Sequence, residues 1–170
     1  MSTSTRERLL KWLQDAYAME QQSETMMSAL GKRLEHYTSL RNRVLGHAAE
    51  TRQQADEVRG CIERLGGAVP AAQGMAATAI GSMQALGTAL MSDEVVKGIG
   101  AGYAFEYLEV ATYRALVIAA EAAGESDIAE VCNRILQQEL AMAEWLRANH
   151  EGIVQEFLQR EPNAPELARR

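Results

Sequence analysis

Aromatic side chains make up only 5% of this 170-residue chain, and proline occurs three times. What fills the space instead is Ala, Leu, Met, Glu, Gln and Arg, 47% of the chain being hydrophobic, which is helix-forming stock. Cysteine is nearly absent too: Cys61 and Cys132 stand far apart with no CxxC spacing, which excludes a zinc knuckle and a disulfide framework and leaves two buried thiols as the expectation. No run of Lys or Arg interrupts a net charge of -6 and a pI near 5.2, so nucleic acid is not an expected partner. The first residues, Met1 to Arg8, lack the apolar stretch of a secretory signal, and a cytoplasmic location is expected. Charge is missing altogether from Leu65 to Ser92, a stretch long enough to cross a bilayer. Its content of Ala, Gly, Gln, Ser and Thr, with Pro70 inside it, drives insertion too weakly for a membrane span. Nucleophile elbow and phosphate-cradling glycine loop are absent as well, which leaves hydrolase, nucleotide-binding and thiol-redox readings without support.

The length suits one domain, expected over residues 1–160 with a polar tail at 161–170. Apolar or small residues recur at helical spacing through Leu9, Leu13, Ala16, Met27, Leu30 and Leu34, with Glu20 and Ser23 filling the gaps in the stripe. A second stripe runs through Leu40, Val44, His47, Thr51, Gln54, Val58 and Cys61, and stops at Gly66-Gly67. After an Ala/Gly-rich connector over 65–92, with some helix of its own expected, a third helix carries Ile99, Gly102, Glu106, Glu109, Tyr113, Leu116 and Ala120. A turn at Gly124-Glu125-Ser126-Asp127 leads to a fourth with Ile128, Cys132, Ile135, Glu139, Met142 and Leu146. A short C-terminal helix through Ile153, Val154, Phe157 and Leu158 is expected beyond it. Two antiparallel pairs joined by one long crossover between helices two and three give an all-α fold, a ferritin-like four-helix bundle.

Glu20, Glu50, Glu106, Glu109 and Glu139 each fall in or beside the apolar stripe of a helix, near its middle. Packing the helices side by side brings them to one level whichever way the chains run. A buried ionised carboxylate costs several kcal/mol unless a cation or donors compensate it, and no Lys or Arg lies among the seam positions. A divalent metal is the expected partner. His47, one turn before Glu50, is available as an imidazole ligand, although a lone seam histidine is more often a hydrogen-bonded core residue. Tyr17 and Tyr113, one turn from Glu20 and Glu109, and Gln53 and Gln54 beside Glu50, are candidates to bond or replace these carboxylates. Met19, Met26, Met27 and Met142 read as core filler.

Four short motifs resemble one family. Asp15-Ala16-Tyr17-Ala18-Met19-Glu20-Gln21-Gln22 is similar to the D-x-Y-x-x-E-x-Q opening helix of the bacterial YciE/YciF ferritin-like proteins, a stress-associated group (the DUF892 type). Glu50-Thr51-Arg52 resembles that family's E-T-K/R segment, and Glu106-Tyr107-Leu108-Glu109-Val110-Ala111-Thr112-Tyr113 its E-H-Y-E-x-A-x-Y signature. Gln138-Glu139 with Glu144 resembles the acidic pair and following acid of its fourth helix. The resemblance spans roughly residues 8–150 and is specific in order and spacing. It departs at Tyr107, where the family has His, and at Leu108, where it has Tyr.

The resemblance implies two transition-metal ions bridged by Glu50 and Glu139 and capped by Glu20 and Glu106 or Glu109, a pair that resembles the third helix of rubrerythrins. Di-iron bundles use Glu-x-x-His on two helices, whereas Gln53 follows Glu50 and Met142 follows Glu139 at that spacing. An oxygen-rich shell favours Mn or a labile Fe. Two functions therefore stand: a di-metal oxidoreductase handling peroxide or oxygen, and a non-catalytic bundle or interaction protein whose glutamates bind metal weakly or not at all. A homodimer is the expected assembly, since the last helix and the connector offer extra apolar surface.

Overall fold

The computed structural model describes residues 3–70 and 92–165, and every regular element among them is α-helical. Helix α1 spans Thr3–Arg33, α2 Thr38–Arg64, α3 Glu94–Ala123 and α4 Ser126–Arg160. The expected four-helix ferritin-like fold is the one observed. Helix α2 stops where the sequence places its glycines: Gly66 takes φ +78°, Gly66 N–H reaches Glu63 O at 2.9 Å and Gly67 N–H reaches Ile62 O at 3.0 Å. Gly124, at φ +72°, closes α3 the same way, with Glu125 N–H donating to Ala120 O at 2.9 Å. A side chain with a Cβ disfavours that left-handed backbone, so both stops are set by residue type.

Ion pairs fix the direction of each helix. Arg33 at the end of α1 meets Glu94 at the start of α3 at 2.5 Å, and Arg64 at the end of α2 meets Asp127 at the start of α4 at 2.5 Å. Neighbours around the bundle, in the order α1, α2, α4, α3, are therefore antiparallel. It follows that α2 ends and α3 begins at opposite ends of the bundle, as the expected crossover requires. The connector's own helix falls on residues 71–91 and lies outside the described residues.

One expectation is corrected. The short C-terminal helix is the last part of α4, which runs unbroken for 35 residues. Gly152 alone costs a helix only about 1 kcal/mol, and Ile153 and Phe157 continue the buried stripe of Met142 and Leu146. Arg160 then anchors the end, donating to His36 O at 3.1 Å and lying over the Tyr37 ring at 5.0 Å.

The apolar core is divided in two. One half gathers Leu9, Leu13, Val58, Leu116, Ile128 and Ile135, and the other Leu34, Leu40, Val44, Ile99, Met142 and Leu146. Between them lies a buried polar layer of Glu20, Ser23, His47, Thr51, Gln54, Glu106, Glu109 and Glu139. No helix among the described residues is long and apolar enough to cross a membrane.

Candidate metal centre

The polar layer exists because each helix carries its hydrophilic residues on the stripe that its apolar residues force inward. On α2 the buried run Val44, His47, Thr51, Gln54, Val58 aims His47 at the bundle axis. Glu106, Glu109 and Tyr113 hold the same face of α3, and Glu139 stands between Cys132, Ile135 and Met142 on α4.

His47, Glu106, Glu109 and Glu139 each bring one ligand atom within 4.8 Å of the others, all four residues being buried. His47 Nε2 lies 3.1 Å from Glu106 Oε2 and 3.3 Å from Glu139 Oε2, while its Nδ1 lies 2.8 Å from Glu50 Oε2. Gln54 Nε2 donates to Glu139 Oε1 at 2.5 Å and to Gln138 Oε1 at 3.1 Å. The Tyr113 hydroxyl donates to Glu20 Oε1 across the α1–α3 interface.

Electrostatics sort these groups. Burial opposes charge on His47, but its bonds to Glu106 and Glu139 outweigh that and raise its pKa to about 11, so the imidazolium is the positive partner that the seam's lack of Lys and Arg left open. Burial and the nearby Glu139 raise Glu20 to about 8 against the Tyr113 bond, which lowers it. Glu106 rises to about 7, burial outweighing its bond to His47. Glu109 is pushed well above the usual range by burial and then by Glu20, Glu139 and Glu106.

One cation does not satisfy this layer. Glu20 Oε2, Gln54 Oε1 and both oxygens of Glu109 are buried without a well-formed hydrogen bond, and so is Ser23 Oγ, close enough to Glu109 to favour its charge. An unsatisfied buried polar group costs about 1–3 kcal/mol even when its carboxyl is neutral. A donor set of one imidazole and several carboxylates is what divalent iron or manganese accepts, so the residues present fit such an ion.

The sequence candidates divide on placement. Glu20, Glu106, Glu109 and Glu139 are brought together. Glu50 sits at the rim, its side chain 41% exposed, between His47 and Arg43, whose guanidinium lies 3.6 Å away. Gln53 does not join them: it is exposed and donates to Glu57 Oε1 at 3.1 Å, while Gln54 one residue on takes the buried role. Among the described residues Tyr17 bonds no carboxylate: its hydroxyl accepts from Arg59 at 3.2 Å and the guanidinium covers its ring at 5.6 Å. Tyr113 serves Glu20 rather than Glu109 on its own helix. Ser23, which in sequence only fills a gap in the α1 stripe, joins this buried layer, and its place one turn after Glu20 is the signal for it.

The metal-free protein should lose stability as pH rises. Glu20 and Glu106 hold protons in the folded state above the ordinary value of 4.5, so the native state binds more protons than the unfolded chain across that window and stability falls as pH climbs toward about 8. Chelator-treated protein is expected to melt progressively lower between about pH 5 and pH 8; a melting temperature that rises over that interval would show the carboxylates to be ionised and compensated.

Two antiparallel helix pairs, a crossover between them and a carboxylate and histidine layer at mid-core define the ferritin-like class. Solved structures agree. A protein of Xanthomonas campestris pv. campestris is 52% identical over 94% of this chain and 99% of its own, with a TM-score of 0.80. The Desulfovibrio desulfuricans bacterioferritin, described with a diiron site, is 16% identical over 89% of this chain and 83% of its own, with a TM-score of 0.74. A Mycobacterium tuberculosis bacterioferritin is 16% identical over 95% and 91%, with a TM-score of 0.68. Residues 4–159 match the family described as Domain of unknown function (DUF892), and the chain belongs to that family.

Proposed function

We propose that the bundle centre holds two iron or manganese ions and that the protein acts on peroxide or dioxygen under oxidative stress. The observation that carries the reading is the set of buried carboxyl oxygens on Glu20 and Glu109 that no well-formed hydrogen bond satisfies, beside the cluster of His47, Glu106, Glu109 and Glu139. Glu20, Glu106, Glu109, Glu139 and His47 would hold the ions, with Glu50 reaching in from the rim. Such metals supply electrons for exchange with peroxide or oxygen. The chain's own part is to orient and to insulate. Tyr113 fixes Glu20, Gln54 fixes Glu139, and the apolar halves on either side keep water out. His47 must surrender a proton to offer Nε2, so loading releases protons and strengthens with pH. The diiron site of the Desulfovibrio bacterioferritin, in a bundle of the same fold, supports this reading.

A second reading has its own observation: the His47 imidazolium already neutralises part of the cluster, which suits a bundle that works without metal. Elemental analysis separates them. Chain prepared without chelator or affinity nickel is expected to carry close to two equivalents of Fe or Mn, a Glu109→Ala/Glu139→Ala variant little, and the loaded parent to consume peroxide. Absence of metal after anaerobic reconstitution would leave the non-catalytic bundle as the function. The homodimer expected from the apolar surface of the last helix and the connector would use the end of α4, where Leu158 is exposed, and light scattering on the same preparation reads its mass.

A further inference from the structure

Cys61 and Cys132 belong to the same half of the core and are both buried, and the helix register sets them against each other. The Gln54–Glu139 bond marks one level of the α2–α4 interface. Seven residues along α2 from Gln54 is Cys61; seven residues back along α4 from Glu139 is Cys132. Because these helices are antiparallel, both steps run the same way, and seven residues is two turns, which returns each chain to the same face. Ion pairs bracket the level: Arg134 to Glu57 at 2.7 Å on one side and Arg64 to Asp127 at 2.5 Å on the other.

We propose that Cys61 and Cys132 are a redox pair, which a two-electron oxidant such as hydrogen peroxide closes into a disulfide joining α2 to α4. Burial raises both thiols, Cys61 to about 11 and Cys132 to about 12, with Cys61 itself the next cause acting on Cys132. Cys61, which burial and Glu57 raise while Arg64 and Arg134 draw it back, keeps the lower value of the two and ionises first. Its sulfur attacks one peroxide oxygen, an S–O bond forming as the O–O bond breaks and the departing hydroxide taking a proton to become water. The Cys132 sulfur then displaces hydroxide from that sulfenic acid, forming S–S and releasing a second water, its own proton leaving with it. Two thiols are oxidised and one peroxide is reduced. The step needs no metal, so it stands or falls apart from the metal reading.

The test uses the intact chain, stripped of metal and exposed to hydrogen peroxide while folded. Thiol labelling in denaturant is expected to fall from two sites to none, the intact mass to drop by two hydrogens, and peptide mapping to link Cys61 to Cys132 within one chain. Dithiothreitol should restore both labels, and the oxidised form should melt higher than the reduced one. Two labelled thiols after oxidation, oxygen addition without a link, a link between chains, or a lower melting temperature on oxidation would each overturn the proposal.

Discussion

A Glu109→Met variant is expected to move two quantities in opposite directions. Its metal affinity should fall more than roughly 100-fold, beyond the 10–100-fold typical of losing an outer partner. The metal-free protein should become more stable by about 1–3 kcal/mol, the desolvation cost of an unsatisfied buried group. Glu109 is fully buried, neither oxygen has a well-formed hydrogen bond, and burial pushes its pKa well above the usual range, so in the absence of an ion the carboxyl contributes only its cost. Methionine fills a similar volume with flexible apolar atoms. In a chain of this size that gain corresponds to a melting temperature higher by about 2–12 °C. Titration calorimetry with manganese and thermal melts in chelator check the two halves together. A metal-free variant that melts lower than the parent would show that Ser23 and the neighbouring carboxyls already satisfy Glu109.

The helices and their pairing were legible because their signals are local. Leu9, Leu13 and Ala16, or Ile128, Cys132 and Ile135, recur at helical spacing, and Gly66 and Gly124 take the left-handed backbone that other residues avoid. The level of the carboxylates followed from their mid-helix positions. Which groups touch did not follow, since partners across an interface depend on reach and on angle around the axis. Glu50 stands three residues after His47, which turns it toward the flank of the α2 stripe and leaves it half exposed, although the E-T-R segment made it the prominent ligand. A tyrosine hydroxyl lies far from its own backbone, so Tyr113 serves α1 and Tyr17 serves α2, where spacing along the chain pointed to their own helices. The short C-terminal helix expected beyond Leu146 is continuous with α4, because Ile153 and Phe157 carry its buried stripe across Gly152 and that packing overrides the glycine's propensity.

His47→Leu should be the most damaging single change in the metal-free bundle at neutral pH. The imidazolium contacts Glu50 on its own helix, Glu106 on α3 and Glu139 on α4, and no other basic side chain among the described residues reaches the buried ones. Breaking a buried pair by removing one member costs about 3–5 kcal/mol, because the remaining charge is left uncompensated. The melting temperature is then expected to drop by about 6–20 °C. The penalty has a direction in pH. Folding raises the His47 pKa from 6.5 to about 11, so its contribution is whole below pH 6.5 and is lost as pH climbs toward 11. Parent and variant melts should therefore lie farthest apart in acid to neutral solution and draw together as pH is raised above neutrality. Manganese added to the variant at neutral pH should recover most of the loss if the remaining carboxylates still take the ion, since one divalent cation supplies the charge that the imidazolium supplied. A variant equally unstable at every pH would instead assign the loss to packing, and one as stable as the parent at neutral pH would mean that His47 is neutral there and that the cluster holds its own protons.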